Sequence, residues 1–486
     1  MGLISFSQRL RDLADAAPDR PAVTCGSTSI TRSALVAAID DLAVDLARRG
    51  VGLDDMLTIA LPNSIDWFVA FGAAWRIGAI PQPISSRLPQ RELDALAELA
   101  DPPVIMGVPE GAAPGRVCLP VGYRAAVATA DEVAALPDVI ASAWKAPTSG
   151  GSTGRPKLIV SGDPPLIDPD LPPPLFLGTD GCLVMPGPLY HNGPLVWSCW
   201  SLLQGNHVVV LPRFDAEETL RAIEHHGGTT IYVVPTMMKR IWRLPEDVRT
   251  GYDLSTLGVL WHLAEPCPEW LKQVWIDWLG AERIFELYGG TEGQTSTIIT
   301  GQEWLAHRGS VGRPTEGTVS ITDADGNELP AGEQGEVWLR SVARDTPTYR
   351  YVGAQARQRD GGWESLGDMG WLDTDGYLYL GDRAADMILS GGANIYPAEI
   401  EAAIQEHEGI HSCAVIGLPD EDRGNTVHAI IEADPVAVPE AELLAFLADR
   451  LVVYKLPRTI EYVDEPLRDD AGKVRRTALR QARLPG

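Results

Sequence analysis

The sequence predicts an α/β protein. A large N-terminal part is built on a mostly parallel sheet, a stretch of short strands follows, and a small α+β unit closes the chain. Three observations predict this. From Met56 to Gly289, short apolar runs alternate with helical stretches, the pattern of a parallel sheet covered by helices. After about Gly309 the texture changes, and D-x-D-G and D-G-N turns separate short strands. The length of 486 residues suggests two to four domains at about 150 residues each.

The elements follow in order. Residues 5–50 read as helix, hairpin-like strands and helix: SFSQRLRDLADAAP stops at Pro18, and SALVAAIDDLAVDLARRG ends on Gly50, a usual C-cap. MLTIALP, WFVAFGAAWRIGA, PQPI, RELDALAELA and PVIMGV then read as strand, helix, strand, helix, strand. Further strands are expected within 182–188, 207–212, 229–235, 257–264 and 283–289. The proline-rich run 161–175 reads as an exposed loop. Beyond Gly309, strands are expected at 317–323, 335–341, 371–373 and 377–380. The last unit reads as helix 397–406, strands 411–417 and 426–432, helix 438–451 and strand 458–463, with its boundary near 381–387.

Composition narrows the function. A formal net charge of −26 repels a phosphate backbone, so nucleic acid is not an expected partner, and any phosphate ligand must be held locally. The six cysteines include no C-x-x-C pair, which argues against a zinc site or a disulfide framework and suits a reducing compartment. The N-terminal segment is too polar for a secretory signal, and no stretch approaches the ~20 apolar residues of a membrane span. A cytoplasmic protein without membrane insertion is expected. Only six of the 40 basic residues are lysines. Lys157, Lys455 and Lys473 fall inside motifs, whereas Lys145, Lys239 and Lys272 read as coding bias and chance.

Five segments carry chemistry. Pro147-Thr-Ser-Gly-Gly-Ser-Thr-Gly-Arg-Pro-Lys157 combines glycines, hydroxyls and a lysine. Its backbone amides approach an anion closely, Ser149, Ser152 and Thr153 donate to phosphate oxygens, and Lys157 adds a point charge. It is not a Walker A loop, and taken alone it also reads as a flexible surface loop. Glu286-Leu-Tyr-Gly-Gly-Thr-Glu-Gly293 ends an apolar strand. Gly289 and Gly290 let a ligand sit against backbone, and Glu292 is a hard oxygen ligand of the kind Mg²⁺ takes beside nucleotide phosphates. Alone it reads equally as a strand-ending turn. In LGDMGWLD (366–373) and GDR (381–383), Asp368 suits the two hydroxyls of a ribose, and Arg383 a ribose or phosphate oxygen. Ser390-Gly-Gly-Ala-Asn-Ile-Tyr-Pro397 starts a helix on its proline, and Asp470-Ala-Gly-Lys473 places a lysine after a flexible glycine near the C-terminus.

In this order the five segments resemble the adenylate-forming superfamily of acyl-CoA synthetases, carrier-protein adenylation domains and luciferases, over essentially the whole chain. Stretches such as SGGSTGRPKLIV, PLYHNGP and HLAEPCPEWLKQVWIDWLG look most like bile-acid and steroid-type acid–CoA ligases. The resemblance implies an AMP-forming ligase that uses ATP, Mg²⁺ and coenzyme A. The acid, bulky and apolar or aromatic, is first adenylated with release of pyrophosphate and then passed to the thiol. Carrier-protein, amine and nitrite acceptors remain alternatives, a non-catalytic paralogue ranks last because the motif residues are present, and a homodimer stays open.

The resemblance also implies a small β-barrel-like part within an N-terminal domain 1–383 and a mobile C-terminal domain 384–486. It assigns Thr148, Ser149, Gly150, Gly151, Ser152, Thr153, Gly154 and Lys157 to the phosphates, and Ala264, Glu265 and Pro266 to the adenine, with Tyr288 stacked on it. Thr291 meets the α-phosphate, Glu292 holds Mg²⁺, and Lys473 bridges the carboxylate and the α-phosphate. Gly391 and Gly392 approach the pantetheine, and Arg423 and Lys455 suit the nucleotide phosphates of coenzyme A. His191 matches an aromatic or histidine gate near the acyl carboxylate; a helix-capping histidine is the equal alternative. Trp197, Trp200, Trp261, Met237 and Gly290 are candidates for the acid pocket, although aromatics at helical spacing are more often plain core. Leu158, Ala385 at the hinge and Leu195 depart from the common family pattern.

Overall fold

The computed structural model describes residues 2–137, 139–150, 156–342, 344, 346–383, 386–390, 393–420, 424–468 and 474–484. Its largest sheet has fifteen strands. Six central strands are all parallel and lie in the order Pro21–Cys25, His207–Val210, Cys182–Met185, Thr230–Val233, Val259–Leu263 and Ile284–Gly289. The first five are short, largely apolar runs buried on both faces, as a helix-covered parallel sheet requires, whereas Ile284–Gly289, last before the antiparallel strands, is fully buried only at Ile284 and Glu286. A second parallel sheet takes the order Ile80–Pro83, Met56–Ile59, Val104–Met106 and Val117–Leu119. Between the two sheets runs the helix Ile65–Arg76, capped by the Ser64 side chain. It carries Trp67 and Phe71, stacked at 3.9 Å in the main core.

From Ser296–Thr300 onward the large sheet turns antiparallel, through Ser310–Pro314, Leu378–Arg383, Asp368–Leu372 and Gly335–Arg340. The turn-rich texture after Gly309 foretells this change, and Ile321, Val337, Leu339 and Leu378 give the region its own small core. The C-terminal part has a separate core, among it Ile400, Ile404, Val415, Ile431 and Leu447. It packs the helices Pro397–Gln405 and Glu440–Ala448 on the strands Ser412–Asp420, Gly424–Glu432 and Thr459–Val463. No helix among the described residues is long and apolar enough to cross a membrane.

The structure departs from the sequence reading in three places. The run 161–175 is not wholly exposed. Leu166–Ile167 pairs with Ile4–Ser5, and Ile167 is buried because it closes the edge of the main core. A three-stranded sheet of Thr148–Gly150, Pro156–Ser161 and Tyr349–Val352 forms where no strand was expected. The first strand is Thr-Ser-Gly and the last begins Tyr-Arg-Tyr, so neither shows an apolar run. The strand expected at 371–373 begins at Asp368, because its first residues pair across a register shift opposite Arg383.

Candidate active site

The parallel strands end on one edge of the sheet, where α/β proteins bind ligands. Val259–Leu263 leads directly into Ala264, whose φ of +74° is rare for a residue with a Cβ. Ala264 and Pro266 are exposed at this edge. Between them, Glu265 accepts hydrogen bonds from the backbone N–H (3.2 Å) and hydroxyl (2.8 Å) of Thr236, at the start of the helix Pro235–Trp242. On the neighbouring strand Ile284–Gly289, the Tyr288 hydroxyl donates to Asp368 Oδ2 at 2.7 Å. Asp368 is itself opposite Arg383 in the antiparallel register. Tyr288 and Asp368, distant in sequence, therefore meet, and the Arg383 backbone runs beside them.

The phosphate-loop candidate is built on the hairpin Thr148–Gly150 and Pro156–Ser161, with Ser149 opposite Lys157. Gly151, Ser152, Thr153 and Gly154 lie outside the described residues. Lys157 reaches to 3.5 Å from Glu292 Oε1 and lies 3.9 Å from the centre of the Tyr351 ring. The Tyr351 hydroxyl donates to the same carboxylate oxygen at 2.5 Å. Burial and this neighbouring carboxylate raise the Tyr351 pKa, so the phenol remains a donor. Glu292 is buried, and a Cβ on Gly290 would stand 2.7 Å from Glu292 Oε2, so a larger residue there would displace that carboxylate. Thr291, between them, is half-buried.

The acid-side candidates gather on the helix Asn192–Leu203 and the strands beneath it. His191 occupies the N-cap position, but its side chain makes no cap hydrogen bond; its ring lies 4.2 Å from that of Tyr190. Trp197 meets Tyr232 at 5.3 Å and Trp261 at 5.5 Å, both edge-on. The Trp261 indole donates to the Leu175 carbonyl. Gly193 lets the Tyr232 hydroxyl pack against the start of the helix, where a Cβ would collide with it. Trp197, Trp261, Met237 and Leu195 are all buried in the main core, and Trp200 is partly buried against it, its ring 5.6 Å from that of Phe6.

The three lysines read as coding bias and chance share a property that the sequence did not reveal. All three are buried. Lys272, on the helix Glu269–Leu279, donates to Glu286 Oε2 at 2.6 Å and so ties that helix to the strand bearing Tyr288. His262 stands 3.9 Å from the same carboxylate, and burial and the Lys272 charge hold its pKa well below the usual value. Lys145 donates to Asn192 Oδ1, and burial lowers its pKa to about 7. Lys239 is buried on the helix Pro235–Trp242, and its Nζ has no hydrogen-bond partner among the described residues. Its pKa falls to about 7, chiefly by burial and then through Arg243, with Cys413, Arg468 and Glu432 also within electrostatic reach. Sequence reasoning missed these residues, and Tyr351 with them. The available signals were the scarcity of lysine and the Tyr-Arg-Tyr alternation at 349–351, which puts both tyrosines on one face of a strand.

Toward the C-terminus, Arg243 donates to the carbonyls of Ile410 (2.6 Å) and His407 (3.2 Å), and Arg475 stands 3.6 Å from Glu92. Lys455 binds Glu399 at 2.6 Å, in the first turn of the helix that follows the 390–397 segment. Gly391, Gly392, Arg423, Lys473 and the hinge residue Ala385 lie outside the described residues.

Two family profiles match the chain. The one described as AMP-binding enzyme covers residues 10–344, and the one described as AMP-binding enzyme C-terminal domain covers 399–473. The chain belongs to the AMP-binding enzyme family. It is 31% identical over 483 residues to a feruloyl-CoA synthase of an Amycolatopsis species, covering 96% of both chains. It is 29% identical over 497 residues to the long-chain-fatty-acid–CoA ligase FadD13 of Mycobacterium tuberculosis, covering 97% of both. Its fold matches the o-succinylbenzoate-CoA synthetase MenE of Bacillus subtilis, solved with an acyl-adenylate, at a TM-score of 0.79, with 23% identity and full coverage of both chains. As a member of this adenylate-forming family, the chain is an AMP-forming acid–CoA ligase that uses ATP to activate a carboxylic acid.

Proposed function

We propose that this ligase activates a bulky, apolar or aromatic carboxylic acid and passes it to coenzyme A. The observation that carries the site assignment is the convergence of Lys157, Tyr351 and Glu292 beside the phosphate hairpin, one strand end away from the Tyr288–Asp368 pair. A carboxylate is a weak nucleophile repelled by the triphosphate, so the site must neutralise phosphate charge. The hydroxyls and amides of 148–154, with Lys157, hold the phosphates. Asp368 and Arg383 take the ribose, Tyr288 stacks on the adenine beside Ala264, Glu265 and Pro266, and Thr291 meets the α-phosphate.

Magnesium is held in such sites by one or two carboxylates together with substrate phosphates. A single buried carboxylate, steadied by a tyrosine hydroxyl, fits that need, so Glu292 is the residue to hold it. When bound, the ion supplies charge neutralisation along the phosphates. Lys157 leaves Glu292 for the phosphates as the nucleotide enters. The Trp197–Tyr232–Trp261 cluster supports an aromatic lining for the acid, with His191, Met237 and Gly290 around it.

Lys473 bridges the carboxylate and the α-phosphate in the first half-reaction. The unit 384–486 then rotates to bring the 390–397 segment, with Gly391 and Gly392, to the site, while Arg423 and Lys455 meet the phosphates of coenzyme A. The contact of Lys455 with Glu399 supports this, since it holds one coenzyme-binding candidate against the helix that follows the 390–397 segment. Pyrophosphate release is to be measured with ATP, Mg²⁺ and ferulate, 2-succinylbenzoate, octanoate, palmitate and cholate, each with and without coenzyme A. Acid-dependent release yielding a thioester, and lost in Lys473→Ala, is expected. Release without a thioester would move the acceptor to a carrier-protein thiol or another nucleophile.

A further inference from the structure

Lys145 is 7% exposed, and its ammonium makes one hydrogen bond, to Asn192 Oδ1. An ammonium carries three donors, so two remain without a hydrogen-bond acceptor among the described residues, and the other charge contact is the Trp144 ring, 4.7 Å from Nζ. Among these residues, no carboxylate pairs with it within 4.0 Å. A charge buried in this state is expensive, and a protein retains it where an anion arrives.

The surroundings reinforce that demand. Asn192 opens the twelve-residue helix Asn192–Leu203, whose first N–H groups and positive dipole end face the same place. A lysine there opposes the dipole, so the two positive contributions add. The ammonium faces this helix: it bonds Asn192 and lies within electrostatic reach of Cys199, seven residues on and on the same face. After burial and Cys199, Glu292 is the next group acting on Lys145 and the first carboxylate among them, but its Oε1 is already engaged by Lys157 and Tyr351. The position also lies at the reaction: Lys145 is three residues before Thr148 of the phosphate hairpin, and its partner Asn192 adjoins His191.

Resting on the ligase activity, we infer that Lys145 binds the carboxylate of the incoming acid at the head of the helix Asn192–Leu203, beside His191. Two anions reach this site, the carboxylate of the acid and a phosphate of ATP. The helix head that carries the acid-side candidates favours the carboxylate, since the phosphates have the hairpin and Lys157. Lys145 thus holds the nucleophile from the N-terminal domain, while it waits for the nucleotide.

The two half-reactions test this, because the acyl-adenylate no longer has a free carboxylate. The probe is whichever of ferulate, 2-succinylbenzoate, octanoate, palmitate and cholate the unaltered enzyme adenylates fastest. In Lys145→Met, which keeps the stem and removes the charge, the KM for that acid is expected to rise about tenfold or more. The KM for ATP and the rate of thioester formation from the presynthesised acyl-adenylate should stay within about twofold of the unaltered enzyme. Lys145→Gln, which keeps a donor without charge, should lose the same. An unchanged acid KM overturns the inference. A rise in the ATP KM instead assigns Lys145 to a phosphate and overturns it as well. Equal loss of both half-reactions, or failure of both variants to fold, makes Lys145 structural and also overturns it. No turnover of any acid by the unaltered enzyme would instead bring down the reading of the substrate class, and this inference with it.

Discussion

Two faces of the molecule each bury a lysine, and they treat it in opposite ways. At the strand end that carries Tyr288 and Glu292, Lys272 is locked to Glu286 at 2.6 Å, and tyrosine–carboxylate bonds fasten both Asp368 and Glu292. Where the helix Pro235–Trp242 meets the C-terminal part, Lys239 is equally buried but has no hydrogen-bond partner among the described residues, and Arg243 and Arg468 add like charge around it. The first face is cross-braced by paired charges and holds one geometry. The second carries an uncompensated charge across a contact that, in the proposed reaction, must open between half-reactions. The difference teaches that burial alone does not stabilise a charge; its partners decide the sign.

The same substitution should therefore act in opposite directions on the two faces. Lys272→Met strands Glu286 as a lone buried carboxylate and is expected to cost about 3–5 kcal/mol in urea unfolding. Adding Glu286→Leu should recover most of that loss. If Lys272→Met alone leaves stability unchanged, the bracing of the strand end is not electrostatic. Lys239→Met should instead raise the melting temperature at pH 7, by on the order of a few kcal/mol of relieved desolvation.

The pH dependence of that gain has a definite sign. The folded pKa of Lys239, about 7, lies below its ordinary value of 10.5. The folded state therefore disfavours the proton that the unfolded chain keeps, and stability rises with pH between those two values. The gain from Lys239→Met should be full below about pH 7 and fade toward pH 10.5. Melting curves across that range check it, and a gain that grows with pH would refute it.

Two smaller effects sharpen the contrast. Tyr288→Phe removes the hydroxyl from a charged acceptor, a loss of about 1.5–3 kcal/mol in the handling of the nucleotide. It should raise the KM for ATP and leave the KM for the acid alone in steady-state kinetics. Arg243→Ala should lower the stability of the N-terminal core by less than about 0.5 kcal/mol. It should still speed proteolysis around residues 384–396, because it loosens only the contact with 407–410. Equal proteolysis of the two proteins would mean that Arg243 does not hold that contact.

The strands of the parallel sheet, though not their order in it, were largely legible, because Leu183, Val209, Ile231, Leu260 and their neighbours form apolar runs that need no knowledge of partners. So were the turn-rich middle and the small C-terminal unit. The motifs also pointed to residues that converge, Tyr288 with Asp368 and Lys157 with Glu292. What escaped depends on contacts between distant segments. Tyr351 acts only because its strand pairs with Ile159, and a Tyr-Arg-Tyr run has no apolar signature. Lys145 finds Asn192 forty-seven positions away, so composition alone could not separate it from a surface lysine. The buried Trp197 and Trp261 illustrate the converse: aromatics at helical spacing look the same whether they line a pocket or fill a core.

Arg243 grips the C-terminal part by two main-chain carbonyls, those of His407 and Ile410, and by no side chain in these two bonds. A main-chain carbonyl is present whatever residue bears it, so mutation at 407 or 410 leaves both acceptors in place. The recognition is of backbone shape and is blind to sequence. Across descendants of this chain, positions 407 and 410 are free to diverge without a matching change at Arg243.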